Sequence, residues 1–170
     1  NNIEIELFSF FKPSSHSIKR YNSLNIEVTS SDLRPNIKKL RQPNLSKIKY
    51  LQSLPLLKKV IKNFNPDILH AHYASSYGIL GLLSGVKPFI LSVWGSDIYD
   101  FPTKNLINKA LIKKVINAAD TVCSTSNAMK KIINDKYSNR DIEVIPFGVD
   151  LDLYETEKDP NSNFIMPITD

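Results

Sequence analysis

The sequence predicts an α/β protein built on a doubly wound parallel sheet. Short apolar runs of strand length alternate along the chain with longer amphipathic stretches of helix length. Residues 89–93, Phe-Ile-Leu-Ser-Val, form an apolar run of the kind found in a parallel strand covered on both faces. Around them, residues 66–97 read as strand, short helix, strand, and both strands turn polar at their carboxyl ends: His70, His72 and Tyr73 on one, Trp94, Ser96 and Asp97 on the other. In open α/β sheets that edge is where ligands bind. The two strands are expected to be neighbours, with their polar ends side by side.

Each element follows in order. Residues 3–10 alternate Ile3, Ile5 and Leu7 with Glu4 and Glu6 before becoming apolar, which predicts a strand. Residues 24–29 predict a second strand, with Ile26 and Val28 on one face, and the connection between the two shows little helical pattern. Residues 30–44 are polar and broken by Pro35 and Pro43, so a surface loop is expected. Residues 45–64 read as helical, and Pro55 either opens a second helix in its first turn or kinks one long helix. Ile68 and Leu69 are expected to give the next strand a fully buried start. After the central stretch, residues 98–103 read as a loop. Residues 104–118 read as a helix with Ile107, Leu111, Val115 and Ala118 inward and Lys109, Lys113 and Lys114 outward. Residues 121–126 form a strand, Ser126 caps a helix over 128–136, and residues 142–147 are the last strand. Beyond Asp150 the chain is polar. One domain over 1–150 and a linker-like tail over 151–170 are expected.

Composition narrows the classes. The chain has 170 residues, 42% hydrophobic and 23% charged, which is ordinary for a globular domain. Its net charge of +5 suits anionic lipid, anionic substrates or nucleic acid and separates none of them. The single cysteine, Cys123, forbids an intrachain disulfide and reads as a buried inert thiol. The longest apolar run, residues 79–86, is interrupted by Gly81, Ser84 and Gly85 and is too short to span a bilayer. No glycine-rich turn follows the first strand, so the usual phosphate cradle is missing. Gly78, Gly81 and Gly85 read as close-packing positions.

At this point motifs become recognisable. PDILHAHYASSYGILGLLSG, then FILSVWGSDIY, INAADTVCSTSNAMKKI and IEVIPFGVDLDLY resemble the amino-terminal domain of retaining GT-B glycosyltransferases of the large "group 1" family. The resemblance runs from about Ile3 to Tyr154. It implies a Rossmann-like acceptor domain, one half of a GT-B fold, in a hexosyltransferase-like enzyme. A second domain would bind the nucleotide-sugar donor, and neither metal nor cofactor would be needed. It further implies a first strand, turn and helix upstream of Asn1. The implied partners are a sugar or lipid-linked sugar acceptor and the nucleotide-sugar donor. The expected location is cytoplasmic, with peripheral contact to the anionic inner face of a membrane; no nucleic acid is expected. Many members have a His where this chain has Trp94, and some carry Trp-Gly-Ser-Asp as here, so the catalytic residues stay unassigned. Two rivals share this ground: a sugar-nucleotide epimerase on the same scaffold, and a non-catalytic carbohydrate-binding module.

The candidate acceptor or sugar-binding residues are His72, Ser75, Trp94, Ser96 and Asp97. His72 can hydrogen-bond an acceptor hydroxyl or serve as a histidine satisfied by backbone. His70, deeper on the same strand face, reads as structural. Ser75 and Ser76 cap the next helix or offer its amino terminus to an anion. Trp94 can stack on a sugar ring or simply pack. Ser96 and Asp97 suit sugar hydroxyls; Asp97 can instead cap the loop after Gly95, and the functional reading is preferred because a carboxylate at this edge has no obvious structural partner. The expectation is that His72, Ser75, Trp94 and Asp97 line one pocket.

Overall fold

The computed structural model describes residues 3–33 and 50–148. The loop expected at 34–44, the start of the helix at 45–49 and the tail at 151–170 lie outside the described residues. Within them, parallel strands form two sheets separated by helices. Strands β1 (Glu6–Ser9) and β2 (Glu27–Ser30) make a two-stranded sheet. Strands β3 (Leu69–His72), β4 (Phe89–Ser92), β5 (Thr121–Ser124) and β6 (Glu143–Val144) make a four-stranded sheet in that order. All pairings are parallel. This is the α/β class that the alternation predicts.

The connection from β1 to β2 is a helix, α1 (Ser15–Ser23), which corrects the reading of that stretch as unpatterned. Ser14 caps it, its Oγ accepting from the Ser17 amide at 3.1 Å. No residue of α1 is fully buried; its apolar side is only Ile18 and Tyr21, both half-buried, which gives periodicity little to show. Pro55 lies in the first turn of α2 (Leu54–Phe64), which settles its role as a helix starter. Leu57 of α2 packs with Phe10 and Leu80 in a small core. Phe10 stacks on Tyr77 at 4.1 Å between centroids, and its amide donates to the Tyr77 hydroxyl at 3.2 Å. These contacts join the two sheets.

The main core lies on one face of the larger sheet. Ala71, Leu91, Val93 and Val122 meet residues of α5 (Leu106–Ala118) and α6 (Asn127–Lys136), with α3 (Tyr77–Ser84) alongside. Side chains alternate along a strand, so the opposite face carries His70, His72, Ile90 and Ser92. There both histidines are exposed and Ile90 and Ser92 half-buried. The sheet is thus not covered on both faces among the described residues. Ile68, expected to be buried, is 53% exposed, and the strand proper starts one residue later. The final strand is also shorter than expected, with Ile145 and Phe147 exposed beyond it.

Helix α5 is rotated from its expected setting. Asn108, Ile112, Val115 and Ile116 face inward, while Ile107 is 78% exposed. The cause is polar. Asn105 caps the helix through the Asn108 amide at 2.8 Å, and the buried Asn108 amide group donates to the Phe101 carbonyl at 3.0 Å. An inward asparagine is invisible to a count of apolar residues. The far end of α5 is closed from outside the helix. The Arg140 guanidinium donates to the carbonyls of Ile116, Ala119 and Asp120, and Lys87 donates to that of Ala118. Ahead of α5, a four-residue helix α4 (Ser96–Tyr99) and a 3-10 turn (Pro102–Lys104) replace the expected loop.

Of the three glycines read as packing positions, Gly78 and Gly81 are so. A Cβ on Gly81 would stand 2.5 Å from the Phe89 ring, and one on Gly78 would stand 2.9 Å from Leu91 Cδ1. Gly85 instead ends α3 with φ of 77° and open space around it, a left-handed cap that favours glycine. Gly81→Ala is therefore expected to destabilise. Overpacking against a buried ring costs about 1–3 kcal/mol, against about 1 kcal/mol gained in helix propensity. Denaturant unfolding of the variant should show a net loss of about 1 kcal/mol.

Candidate functional site

Strands β3 and β4 are neighbours in register, with His72 opposite Ser92. Their carboxyl ends lie side by side, as the polar strand ends predict. The turns that leave them are tied together by Asp97. Its Oδ2 accepts from the Ala74 amide at 2.7 Å, and its Oδ1 accepts from the amides of Trp94 at 3.1 Å and Gly95 at 2.9 Å. The residue is fully buried. This corrects the expectation that Asp97 lacks a structural partner: its acceptor capacity goes to backbone amides.

The backbone around this carboxylate is unusual. Gly95 has φ of 129°, which presents its amide to Asp97 and which a side chain would strain. Tyr73 has φ of 85° with a full side chain, a conformation found where surrounding structure enforces it. Its carbonyl accepts from the Gly78 amide at 3.0 Å, in the first turn of α3. Ser76 holds the N-cap position without a side-chain capping bond, so of the two serines expected to cap this helix Ser76 does not. The Tyr73 hydroxyl meets Ser96 Oγ, a second bond between the two turns.

His72 and Trp94 stand on the surface of this frame. The indole Nε1 donates to His72 Nδ1 at 3.4 Å, and the rings meet edge to face at 5.8 Å. Trp94 is 49% exposed. Phe147, from the segment after β6, lies against it at 4.8 Å, and His70 lies beside His72 at 4.2 Å. His70 is not the buried residue expected from its depth on the strand. It is exposed, with Nε2 on Ser92 Oγ at 2.8 Å. The result is an aromatic ledge running from β3 across β4 to the chain beyond β6.

The five sequence candidates thus gather at one edge but do not line one pocket. His72, Trp94 and Ser96 are at the surface, whereas Ser75 and Asp97 are buried beneath it. Sequence reasoning passed over His70, the strained Tyr73 and Phe147. The polar strand end pointed toward the first two. Nothing local marked Phe147, whose contact with Trp94 crosses the sheet.

Comparison with known proteins decides the family. A family of proteins described as glycosyl transferase 4-like matches residues 2–126. The chain belongs to this glycosyltransferase family. A protein of Bacillus subtilis (strain 168) with the provisional name teichuronic acid biosynthesis glycosyltransferase TuaC is 25% identical over 114 residues, covering 63% of this chain and 29% of that protein. An uncharacterized glycosyltransferase of Methanocaldococcus jannaschii is 31% identical over 132 residues, covering 75% of this chain and 35% of that protein. The chain therefore spans about a third of the length of these relatives. No described helix is long and apolar enough to cross a membrane.

Two outcomes follow from the site's geometry. Asp97→Ala leaves buried amides on two turns without an acceptor, and unfolding should show a loss of about 3 kcal/mol, with the far-ultraviolet spectrum retained at low temperature. The second concerns pH. Partial desolvation of the ring by its neighbours lowers the pKa of His72 from the ordinary 6.5, and partial desolvation followed by the His72 charge lowers that of His70, although both residues reach the surface. The unfolded chain then binds protons first, so the contribution of the neutral rings is complete above pH 6.5 and is lost as pH falls through the folded values. Protonation of Nδ1 also removes the acceptor for the indole. Emission of Trp94, the chain's one tryptophan, should change with a midpoint below 6.5, and His72→Phe should abolish that step.

Proposed function

We propose that this chain is the acceptor-side half of a retaining glycosyltransferase that moves a sugar from a nucleotide-sugar donor to a polysaccharide or glycolipid hydroxyl. The observation that carries the reading is the exposed ledge of Trp94, His72 and Phe147 at the carboxyl edge of the sheet. A pyranose offers apolar faces and a rim of hydroxyls. A half-exposed indole suits the first. A neutral imidazole whose Nδ1 is occupied by the indole leaves Nε2–H to donate to the second. Ser96 adds a hydroxyl at the same edge. His72, Trp94 and Ser96 then touch the sugar, while Asp97 and Ser75 act beneath them as positioning residues.

The donor belongs elsewhere in this reading. A diphosphate needs converging amides or basic side chains. The ion pairs Lys87–Asp120 and Lys130–Asp141 and the Arg140 contacts all lie at the opposite, amino-terminal edge of the sheet. Chemistry would rest on positioning acceptor against donor and on stabilising the leaving diphosphate from a second domain. The nucleotide-sugar enters as substrate, and no cofactor is invoked. The epimerase alternative needs a free carboxylate in the cleft, and Asp97 spends its oxygens on backbone amides. That favours transfer.

The isolated chain should neither turn over nor tightly bind UDP- or GDP-sugars in calorimetry and sugar-release assays. It should bind acceptor-type oligosaccharides, with Trp94→Ala weakening them about five- to tenfold. Turnover by the chain alone would show that the donor site is misplaced. Labelled nucleotide-sugars given to the full-length protein separate transfer, epimerisation and neither.

A further inference from the structure

We propose that His70 and His72 together hold a divalent transition-metal ion of the zinc, nickel or copper class on the open face of the larger sheet. The two residues alternate along β3, so the strand period puts both side chains on one face while Ala71 between them joins the core. Both are exposed, and their ring centres stand 4.2 Å apart at an interplanar angle of 33°. An ion held by two imidazole nitrogens at about 2.0–2.1 Å keeps those nitrogens about 3.3 Å apart in tetrahedral geometry. Rings already this close reach that separation by small side-chain rotations. In a helix the same pairing takes two histidines one turn apart; in a strand it takes alternate residues.

The surroundings select the class of ion. Imidazole nitrogen suits zinc, nickel and copper, whereas magnesium and calcium take oxygen ligands. His70 Nε2 is engaged with Ser92 Oγ at 2.8 Å. A contact of that kind fixes the orientation of a ligand ring and leaves its other nitrogen, Nδ1, for the ion. The bond that His72 Nδ1 accepts from the Trp94 indole is 3.4 Å, long for a hydrogen bond, so little is lost on breaking it. An ion on either nitrogen of His72 does break it: at Nδ1 it takes the accepting lone pair, and at Nε2 it moves the ring proton to Nδ1. Among the described residues no third His, Cys, Asp or Glu completes the set, so water fills the remaining positions of an open two-imidazole chelate. Cys123 shares this face opposite Ser92 but is buried. The ion has no part in the transfer step proposed above. It acts on the ledge, because it takes His72 and releases the indole, and ion and oligosaccharide should therefore compete. This last step rests on the acceptor reading; the ion site itself does not.

The test is titration of the 170-residue chain, free of any histidine tag, with the chlorides of zinc, nickel, copper, magnesium and calcium. Calorimetry reads the stoichiometry, and emission reads Trp94, the one tryptophan, whose ring meets that of His72 at 5.8 Å. One zinc ion per chain is expected, with copper tightest of the series and quenching Trp94, and with no saturable binding of magnesium or calcium. His70→Gln and His72→Gln should each weaken zinc about tenfold or more. His16→Gln, which removes the remaining histidine of the sequence, and Cys123→Ala should leave zinc binding unchanged. Circular dichroism verifies the fold of each variant. No saturable binding of zinc, nickel or copper overturns the proposal. So does binding that survives both β3 variants, binding lost with His16 or Cys123, or equal binding of magnesium. Zinc binding that leaves oligosaccharide affinity untouched supports the ion site and counts against the acceptor reading of His72, so the two readings fail separately.

Discussion

The carboxyl edge of this domain depends on one carboxylate. Asp97 accepts amides from the turn after β3 and from the turn after β4, two segments otherwise joined by the contact of the Tyr73 hydroxyl with Ser96 and by the strand ladder beneath. The conformations of those turns make sense only with it in place. Gly95 is turned so that its amide reaches the carboxylate, and Tyr73 holds a left-handed backbone whose carbonyl closes the first turn of α3. The frame is made of backbone and one buried side chain. The groups it displays, His72 and Trp94, therefore inherit positions fixed from below rather than by mutual contact alone.

The chemistry displayed on that frame is low in charge. The imidazoles are held toward neutrality by partial desolvation, and their neighbours are aromatic rings and hydroxyls. The guanidinium and ammonium groups that make named contacts are instead at the opposite edge, satisfying helix carbonyls and carboxylates. The two edges of one sheet thus do different work. One closes helix ends with cations, and the other presents aromatic rings and hydroxyls suited to hydroxyl-rich ligands.

Much of this was legible in the residues wherever the signal is local. Ser126 caps α6 through the Met129 amide, Pro55 opens α2, and the apolar runs of β3 and β4 pair as neighbours with polar ends together. What escaped was either unpatterned or long-range. Helix α1 turns only Ile18 and Tyr21 inward, and half-way at that, so its period is short to read. Helix α5 offers two apolar settings, and the one taken turns Ile112, Val115 and Ile116 inward together with an asparagine that hydropathy counts as outward. Asp97 looks like a spare carboxylate in sequence because one partner, the Ala74 amide, lies 23 positions away, and an amide carries no residue signature. Gly85 shows the same limit in reverse: glycine is legible, but whether it serves contact or backbone freedom depends on what surrounds it.

The closure of α5 has a consequence for how the domain opens. A helix that ended its own carbonyls could fray by itself. Here the carbonyls of Ile116, Ala119 and Asp120 are held by Arg140, from the loop between α6 and β6. Peeling that loop away uncaps a helix more than one element distant, and fraying the helix frees the loop. The two are bound into one cooperative unit of opening, so amide exchange along the end of α5 and along residues 139–144 should share a single protection free energy.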